Sequence, residues 1–265
     1  MKELTASLVV YNPDIPRVIE TINSLFADAP NVELVIMDNS LKKGALENQL
    51  PHVLRNQIHY LWKGQNIGFG AGHNLAVKST KASKLHLFIN PDITIKPGCL
   101  AKITEYFAKH ENVALVGPKI LNSDGSIQYS CKRNPTVAAL FIRRFFKSTW
   151  IEKFEILNRY NKQYEMQDCD YDSILKPNFL SGCFMVTRKE IFTKIGGFDD
   201  NYFLYFEDAD LTRRINQVAE THYIPQSEVI HDWMRGSHKS LKLAFIMIQS
   251  AIIYFRKWGL RIIAF

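Results

Sequence analysis

Apolar runs and amphipathic stretches alternate at short spacing through the first 117 residues, and three of the apolar runs stop at a polar turn. Residues 4–11 are β-rich and apolar, and Asn12-Pro13-Asp14 breaks them. Residues 32–37 form a second such run, ending at Asp38-Asn39-Ser40. Residues 58–62 are a third, and residues 85–89 a fourth that ends at Asn90-Pro91-Asp92. Residues 113–116 read as a fifth. Near-continuous apolar runs of this length suit strands buried on both faces. Between them, Ile15, Val18, Ile19, Ile22, Leu25 and Phe26 mark one face of a helix, and residues 71–79 and 98–109 read as two more. The pattern predicts an α/β fold, a mostly parallel sheet with helices on both faces. In such sheets ligands bind beyond the carboxyl ends of the strands. One Asp there is a common turn former. Three polar turns on one predicted edge point to a nucleotide site.

Residues 195–215, IGGFDDNYFLYFEDADLTRRI, are the most unusual stretch. Five acids, Asp199, Asp200, Glu207, Asp208 and Asp210, surround the aromatics Tyr202, Phe203, Tyr205 and Phe206. Gly196 and Gly197 suit a turn with positive φ. Residues 208–218 read as a helix with acids at its first turn, where the helix dipole favours negative charge. The stretch admits two readings: an acidic cap beside an aromatic core, or a carboxylate base held against a sugar ring.

The segment Gly68-Phe69-Gly70-Ala71-Gly72 follows a strand and opens a helix. It lacks the third glycine of a dinucleotide fingerprint and follows the wrong strand for one. A glycine-rich turn that admits a ligand or a neighbouring loop fits better. Asn66, His73 and Asn74 flank it, with His73 expected on the helix surface.

Beyond residue 117 the pattern changes. Residues 122–126 are a turn between short strands, the second ending at Cys131-Lys132-Arg133. Residues 136–154 interleave aromatics with Arg143, Arg144, Lys147 and Lys153, as a helix on a membrane surface or one packed on the domain. Residues 155–176 are polar and acidic and read as a mobile loop. Residues 180–187 return as a strand, residues 189–195 as a short helix, and His231 closes another strand. Residues 237–265 read as a long helix, apolar nearly all round over residues 243–255.

The net charge of +7 suggests an anionic partner. Residues 231–265 hold six Lys/Arg against one acid. Because those cations sit among apolar residues, a lipid surface suits them better than nucleic acid. The four scattered cysteines, without a C-x-x-C, read as reduced thiols of a cytoplasmic protein. The N-terminus enters a strand directly, with no signal peptide expected. No uncharged apolar run reaches the ~18 residues of a membrane span.

Taken in order, these motifs resemble the inverting glycosyltransferases of family 2, with the GT-A nucleotide-diphospho-sugar fold. The resemblance covers roughly residues 4–233. It rests on the strand into Asn12-Pro13, on Asp38-Asn39-Ser40, on Asn66-Ile67-Gly68 with Asn74, and on Asn90-Pro91-Asp92. Gly182, Gly196-Gly197-Phe198-Asp199, Glu207-Asp208-x-Asp210 with Arg214, and His231 complete it. Within the family the chain looks most like bacterial rhamnosyltransferases of O-antigen and related polysaccharide assembly.

The resemblance implies a GT-A catalytic domain over residues 1–235, with a nucleotide half (1–117) and an acceptor half (118–235). Residues 236–265 then form a C-terminal helical extension. It implies that Asp38 contacts the base, that Asn90 lies near the ribose, and that Asn12, Asn66 and Gly68 line the donor site. Asp92 and His231 would hold a divalent metal, Mg²⁺ or Mn²⁺, on the diphosphate. Asp208 would be the general base, with Glu207 beside it. Lys132, Arg133, Asp210 and Trp233 are candidates for acceptor or phosphate contact. Asn90 departs from the commoner Asp-x-Asp and leaves Asp92 the sole carboxylate of its motif, a pattern that suits Mg²⁺ completed by phosphate oxygens.

The expected reaction moves L-rhamnose from dTDP-rhamnose to a lipid-linked saccharide at the inner face of the membrane. The alternatives are a UDP-galactofuranose or UDP-N-acetylglucosamine donor on the same fold, or a non-catalytic membrane scaffold.

Overall fold

The computed structural model describes residues 2–54, 56–145, 154–232 and 241–263 of the chain. The strands are β1 (Lys2–Val10), β2 (Glu33–Asp38), β3 (Ile58–Trp62), β4 (Ser83–Ile89), β5 (Ile93–Ile95), β6 (Val113–Leu121), β7 (Ile127–Gln128), β8 (Cys131–Lys132), β9 (Phe179–Leu180), β10 (Phe184–Arg188) and β11 (Glu220–His231). The helices are α1 (Ile15–Asp28), α2 (Leu46–Gln49), α3 (Phe69–Ser79), α4 (Cys99–Lys109), α5 (Val137–Phe145), α6 (Glu155–Tyr164), α7 (Lys189–Lys194), α8 (Glu207–Ile215) and α9 (Leu241–Trp258).

One sheet runs in the order β3-β2-β1-β4-β10-β6-β11-β5, with β7 added to β6. The first four strands are mutually parallel, as are β6 and β11. The departure is β10, which inserts antiparallel between β4 and β6. Apolar pattern does not encode strand direction, so the sequence gives no sign of this. The insertion matters for the site. It brings the start of β10 to the same edge as the ends of β1, β2, β4, β6 and β11. Short β5 then pairs antiparallel with the end of β11, Ile93 opposite His231.

Both sheet faces are covered, so β1, β2 and β4 carry apolar side chains on each side. One layer packs Leu8, Ile36 and Ile89 against Ile22 and Leu25 of α1 and Ile103 of α4. The other packs Phe88, Leu115 and Met185 against Val77 of α3, Phe192 of α7 and Leu211 of α8. Each fully buried side chain of this size contributes about 1.5–3 kcal/mol relative to exposure. A third cluster joins Phe179, Tyr202, Phe206 and Ala209 to Tyr254 of α9.

Two expectations need correction. Residues 155–176 are not a mobile loop: α6 occupies the first ten, and the following turn is tied down by a bidentate pair from Arg133 to Asp168 (2.9 and 2.8 Å). His73 is not on a helix surface. It is fully buried, shares a hydrogen bond with Ser7 Oγ (2.7 Å), and burial pushes its imidazole down to about 3. Its ring lies among Phe69, Phe88 and Phe198, so the core claims it. The tail helix, apolar nearly all round over residues 243–255, leaves one apolar face in solvent. Only Ser250 and Tyr254 of α9 are buried, while Leu241, Phe245, Ile248 and Ile252 form an exposed stripe. Of the basic aromatic segment, residues 146–153 lie outside the described residues, as does Trp233.

The glycine-rich turn behaves as expected and admits a neighbouring loop. Gly68 has φ 93°, and a Cβ there would overlap the carbonyl oxygen of Phe203. Asn66 Oδ1 accepts from the Gly68 N–H (3.0 Å), and Asn39 Nδ2 donates to the Gly68 carbonyl (2.9 Å). The four cysteines are unbridged, with Cys169 half-buried and the others buried.

Candidate active site

The site is built where strands stop. The Val10–Asp38 register aligns the ends of β1 and β2, and the Leu8–Ile89 register adds β4. Asn12 follows β1 in a left-handed conformation (φ 46°), and its N–H donates to Ser40 Oγ (2.8 Å). Asp38 is fully buried. Its Oδ1 accepts from the Ser40 N–H (2.8 Å), and its Oδ2 accepts a short hydrogen bond from the Tyr60 hydroxyl. The carboxylate thus shapes the turn after β2, and Tyr60 stands between it and solvent. Trp62 Nε1 donates to the Ser40 carbonyl (2.9 Å), which leaves its half-exposed indole beside this turn.

Asn90 is fixed by its backbone, whose N–H donates to the Cys183 carbonyl (2.9 Å). Two residues on, Asp92 meets His231: Oδ1 and Nε2 are 3.2 Å apart. The pairing of β5 with β11 brings them together, since His231 lies opposite Ile93. The other imidazole nitrogen, Nδ1, donates to Gln128 Oε1 (2.6 Å), which fixes the ring. Burial opposes charge on His231, but Cys183 and Asp92 outweigh it and raise the imidazole to about 10. Apart from this contact, both facing atoms are buried without a hydrogen bond. They form a buried carboxylate–imidazolium pair in which each faces the other, and Nε2 would have to give up its proton before it could bind a cation. No group of three or more candidate ligands occurs among the described residues.

Asp208 comes to the same edge from α8. Its Oδ2 accepts from the Gly182 N–H (2.9 Å), just before β10, and its Oδ1 from the Ala209 N–H (2.9 Å). Glycine at 182 lets the two segments approach this closely, since a Cβ would sit 3.1 Å from Asp208 Cβ. Burial raises the Asp208 carboxyl above the usual range, and the ammonium of Lys132 opposes the shift. Glu207 is buried too, with Oε2 unpartnered. Burial and the Asp208 charge push its carboxyl well up. Two adjacent buried carboxyls do not both ionise readily, so one of the pair keeps a proton at higher pH than an isolated acid. Lys132 also lies over the Phe179 ring, its Nζ 4.6 Å from the centroid.

Two candidates are engaged elsewhere. Arg133 is drawn into the pair with Asp168 and also bonds the Gln163 carbonyl, so it serves the α6 turn rather than a phosphate. Asp210 is fully buried and points to the tail, not to an acceptor. It accepts from Arg214 Nε (2.7 Å) and Trp258 Nε1 (2.8 Å) and pairs with Lys257 Nζ (2.9 Å). Gln128, Tyr60 and Trp62 carry no motif. Only the folded juxtaposition reveals them.

Comparisons with known proteins agree with this architecture. The chain is 24% identical over 230 residues to N-acetylglucosaminyl-diphospho-decaprenol L-rhamnosyltransferase of Mycobacterium tuberculosis, covering 83% of this chain and 72% of that one. It is 26% identical over 227 residues to rhamnosyltransferase WbbL of Escherichia coli K12, covering 82% and 78%. Among solved structures, GalNAc-T7 with UDP, GalNAc and Mn²⁺ superposes with a TM-score of 0.65 at 13% identity, over 88% of this chain and 44% of that one. S. aureus TarS gives 0.58 at 16%, over 96% and 40%. This chain therefore spans less than half of either solved structure, and the likeness establishes a GT-A-like fold. The family model described as Glycosyl transferase family 2 matches residues 6–196, and the chain belongs to that family of glycosyltransferases.

Proposed function

We propose that this glycosyltransferase moves L-rhamnose from dTDP-rhamnose to a lipid-linked saccharide, with inversion, in the synthesis of a cell-surface polysaccharide. The observation that carries the reading is that Asp208, held by Gly182 just before β10, and the Asp92–His231 pair lie at one sheet edge. The names of both bacterial relatives favour rhamnose as the sugar. That of the mycobacterial one favours a lipid diphosphate acceptor.

Residues 1–117 bind the nucleotide, with Asn12, Asp38, Asn66, Gly68 and Asn90 around it. Residues 118–235 present the acceptor and the base. Asp208 accepts the proton of the acceptor hydroxyl as its oxygen bonds to the anomeric carbon. The bond from that carbon to the diphosphate breaks on the opposite side, and the nucleoside diphosphate leaves. One displacement of this kind inverts the anomeric centre. Glu207 lies beside the base, its own carboxyl raised by burial and by the Asp208 charge. Asp92 and His231, buried and facing each other, would hold a divalent cation through few protein ligands plus phosphate once Nε2 releases its proton. When bound, Mg²⁺ or Mn²⁺ supplies positive charge to the leaving diphosphate.

We further place the protein on the inner face of the membrane. No described helix is long and apolar enough to cross one. The exposed stripe Leu241, Phe245, Ile248 and Ile252 continues to Leu260, Ile262 and Ile263, with Lys242, Arg256 and Arg261 also exposed. Such cations are worth about 1 kcal/mol each near an anionic leaflet.

A panel of nucleotide sugars, with and without EDTA, tests the reading by nucleoside diphosphate release. Release from dTDP-rhamnose that EDTA stops and Mg²⁺ restores is expected. Preferred release from a UDP-sugar would move the donor assignment, and full turnover in EDTA would remove the metal.

A further inference from the structure

The turn that presents Glu207 and Asp208 is strained. Tyr205 and Phe206 precede them directly and both lie in the left-handed region, at φ 71° and 68°. Neither is glycine, and L side chains rarely adopt this backbone conformation. A conformation like this persists only where its surroundings impose it. On one side the imposing group is the glycine-rich turn, whose Phe69 N–H donates to the Phe203 carbonyl (3.0 Å). On the other side it is the C-terminal helix.

The contacts of α9 converge on this one turn. Ser250 Oγ donates to the Leu204 carbonyl (2.8 Å). The Tyr254 ring packs on that of Phe206, centroids 5.5 Å apart. Lys257 pairs with Asp199 ahead of the turn (2.7 Å) and with Asp210 beyond it (2.9 Å). Trp258 Nε1 donates to the same Asp210 (2.8 Å), and its indole lies 4.3 Å from the Arg213 guanidinium. So the helix grips residues 199, 204, 206 and 210, on both sides of the base. Yet it buries only two of its eighteen residues. Met247, Ala251, Ile253, Phe255 and Trp258 pack part-buried against the cluster that holds Tyr202, Phe206 and Ala209, so the apolar contacts of the helix converge on the same turn as its polar ones.

We propose that α9 is part of the catalytic machinery: Ser250, Lys257 and Trp258 are positioning residues that hold the turn at which Asp208 meets the acceptor hydroxyl. The inference rests on the assignment of Asp208 as base. A misplacement of ~1 Å can cost about 100-fold in rate. None of these α9 contacts involves Asp38 or Asn90, although the turn that α9 holds also meets the donor-side glycine turn at Phe69, so loss of these contacts should fall chiefly on turnover.

The test uses the full chain and the variants Trp258→Phe, Lys257→Met and Lys257→Arg. Trp258→Phe and Lys257→Met should each lower kcat by about 10- to 100-fold with the donor KM changed by less than about twofold. Lys257→Arg keeps the charge and should restore most of the rate. Hydrogen exchange supplies a readout that needs no turnover. In Trp258→Phe, peptides over residues 202–210 should exchange faster while those of the central sheet stay unchanged. Unchanged exchange over 202–210, or a lowered Tm with kcat intact, would overturn the proposal. If the unaltered chain transfers no sugar from any donor, the functional reading fails, and the exchange data still decide whether α9 holds the turn.

Discussion

Asp208 and Glu207 show how one sheet edge sets the chemistry of two neighbouring acids. Asp208 receives two backbone N–H bonds, whereas Glu207 has an unpartnered oxygen. Asp208→Asn keeps the shape and removes the proton acceptor. Steady-state kinetics should show turnover roughly 10²–10⁴-fold lower with nucleotide binding retained. Glu207 predicts a stability effect with a definite sign. Its folded carboxyl lies above the unfolded one, so the folded state keeps a proton that the unfolded chain releases. Raising the pH from the ordinary carboxylate range toward the raised value therefore favours unfolding, by at most about 1.4 kcal/mol per pH unit. Glu207→Gln should match the natural chain in Tm near pH 4 and exceed it increasingly as pH rises. A Tm difference independent of pH would contradict this. Asp92, His231 and Asp208 were legible in the sequence because they sit at strand ends or at a helix start, which pattern reveals. Gln128 was not, because it meets His231 across 103 residues and has no spacing to announce it.

The glycine-rich element was legible because glycine marks close approach, although the approaching group, the Phe203 carbonyl, belongs to another element. Gly68→Ala combines a positive φ with a backbone clash and should destabilise the fold by more than about 1 kcal/mol in urea unfolding. A near-neutral result would show that the turn can shift without loss. Two elements escaped the sequence for physical reasons. The polar composition of α6 hides a helix held by tertiary bonds, among them those from Arg133 to the Gln163 and Tyr164 carbonyls. The antiparallel sense of β10 leaves no trace in its apolar pattern, yet it delivers Gly182 to Asp208.

At the scale of the whole molecule, the tail resolves into two faces. The inner face grips the turn that presents Glu207 and Asp208, and the outer one exposes the stripe from Leu241 to Ile252. Sequence hydrophobicity read the helix as apolar nearly all round over residues 243–255, and it could not tell which face would find neighbours. The triple variant Phe245→Glu, Ile248→Glu, Ile252→Glu should stay folded but stop floating with anionic vesicles. Unchanged flotation would place the membrane contact elsewhere. The central claim is inverting rhamnosyl transfer at the edge shared by Asp208 and the Asp92–His231 pair. Its most direct measurement is the product itself. The full chain is incubated with dTDP-rhamnose, Mg²⁺ and a lipid-linked saccharide, and the product linkage is read by NMR. The account predicts one added rhamnose whose anomeric configuration is opposite to the donor's, absent with Asp208→Asn. Retained configuration, or the same product from Asp208→Asn at the natural rate, would contradict it.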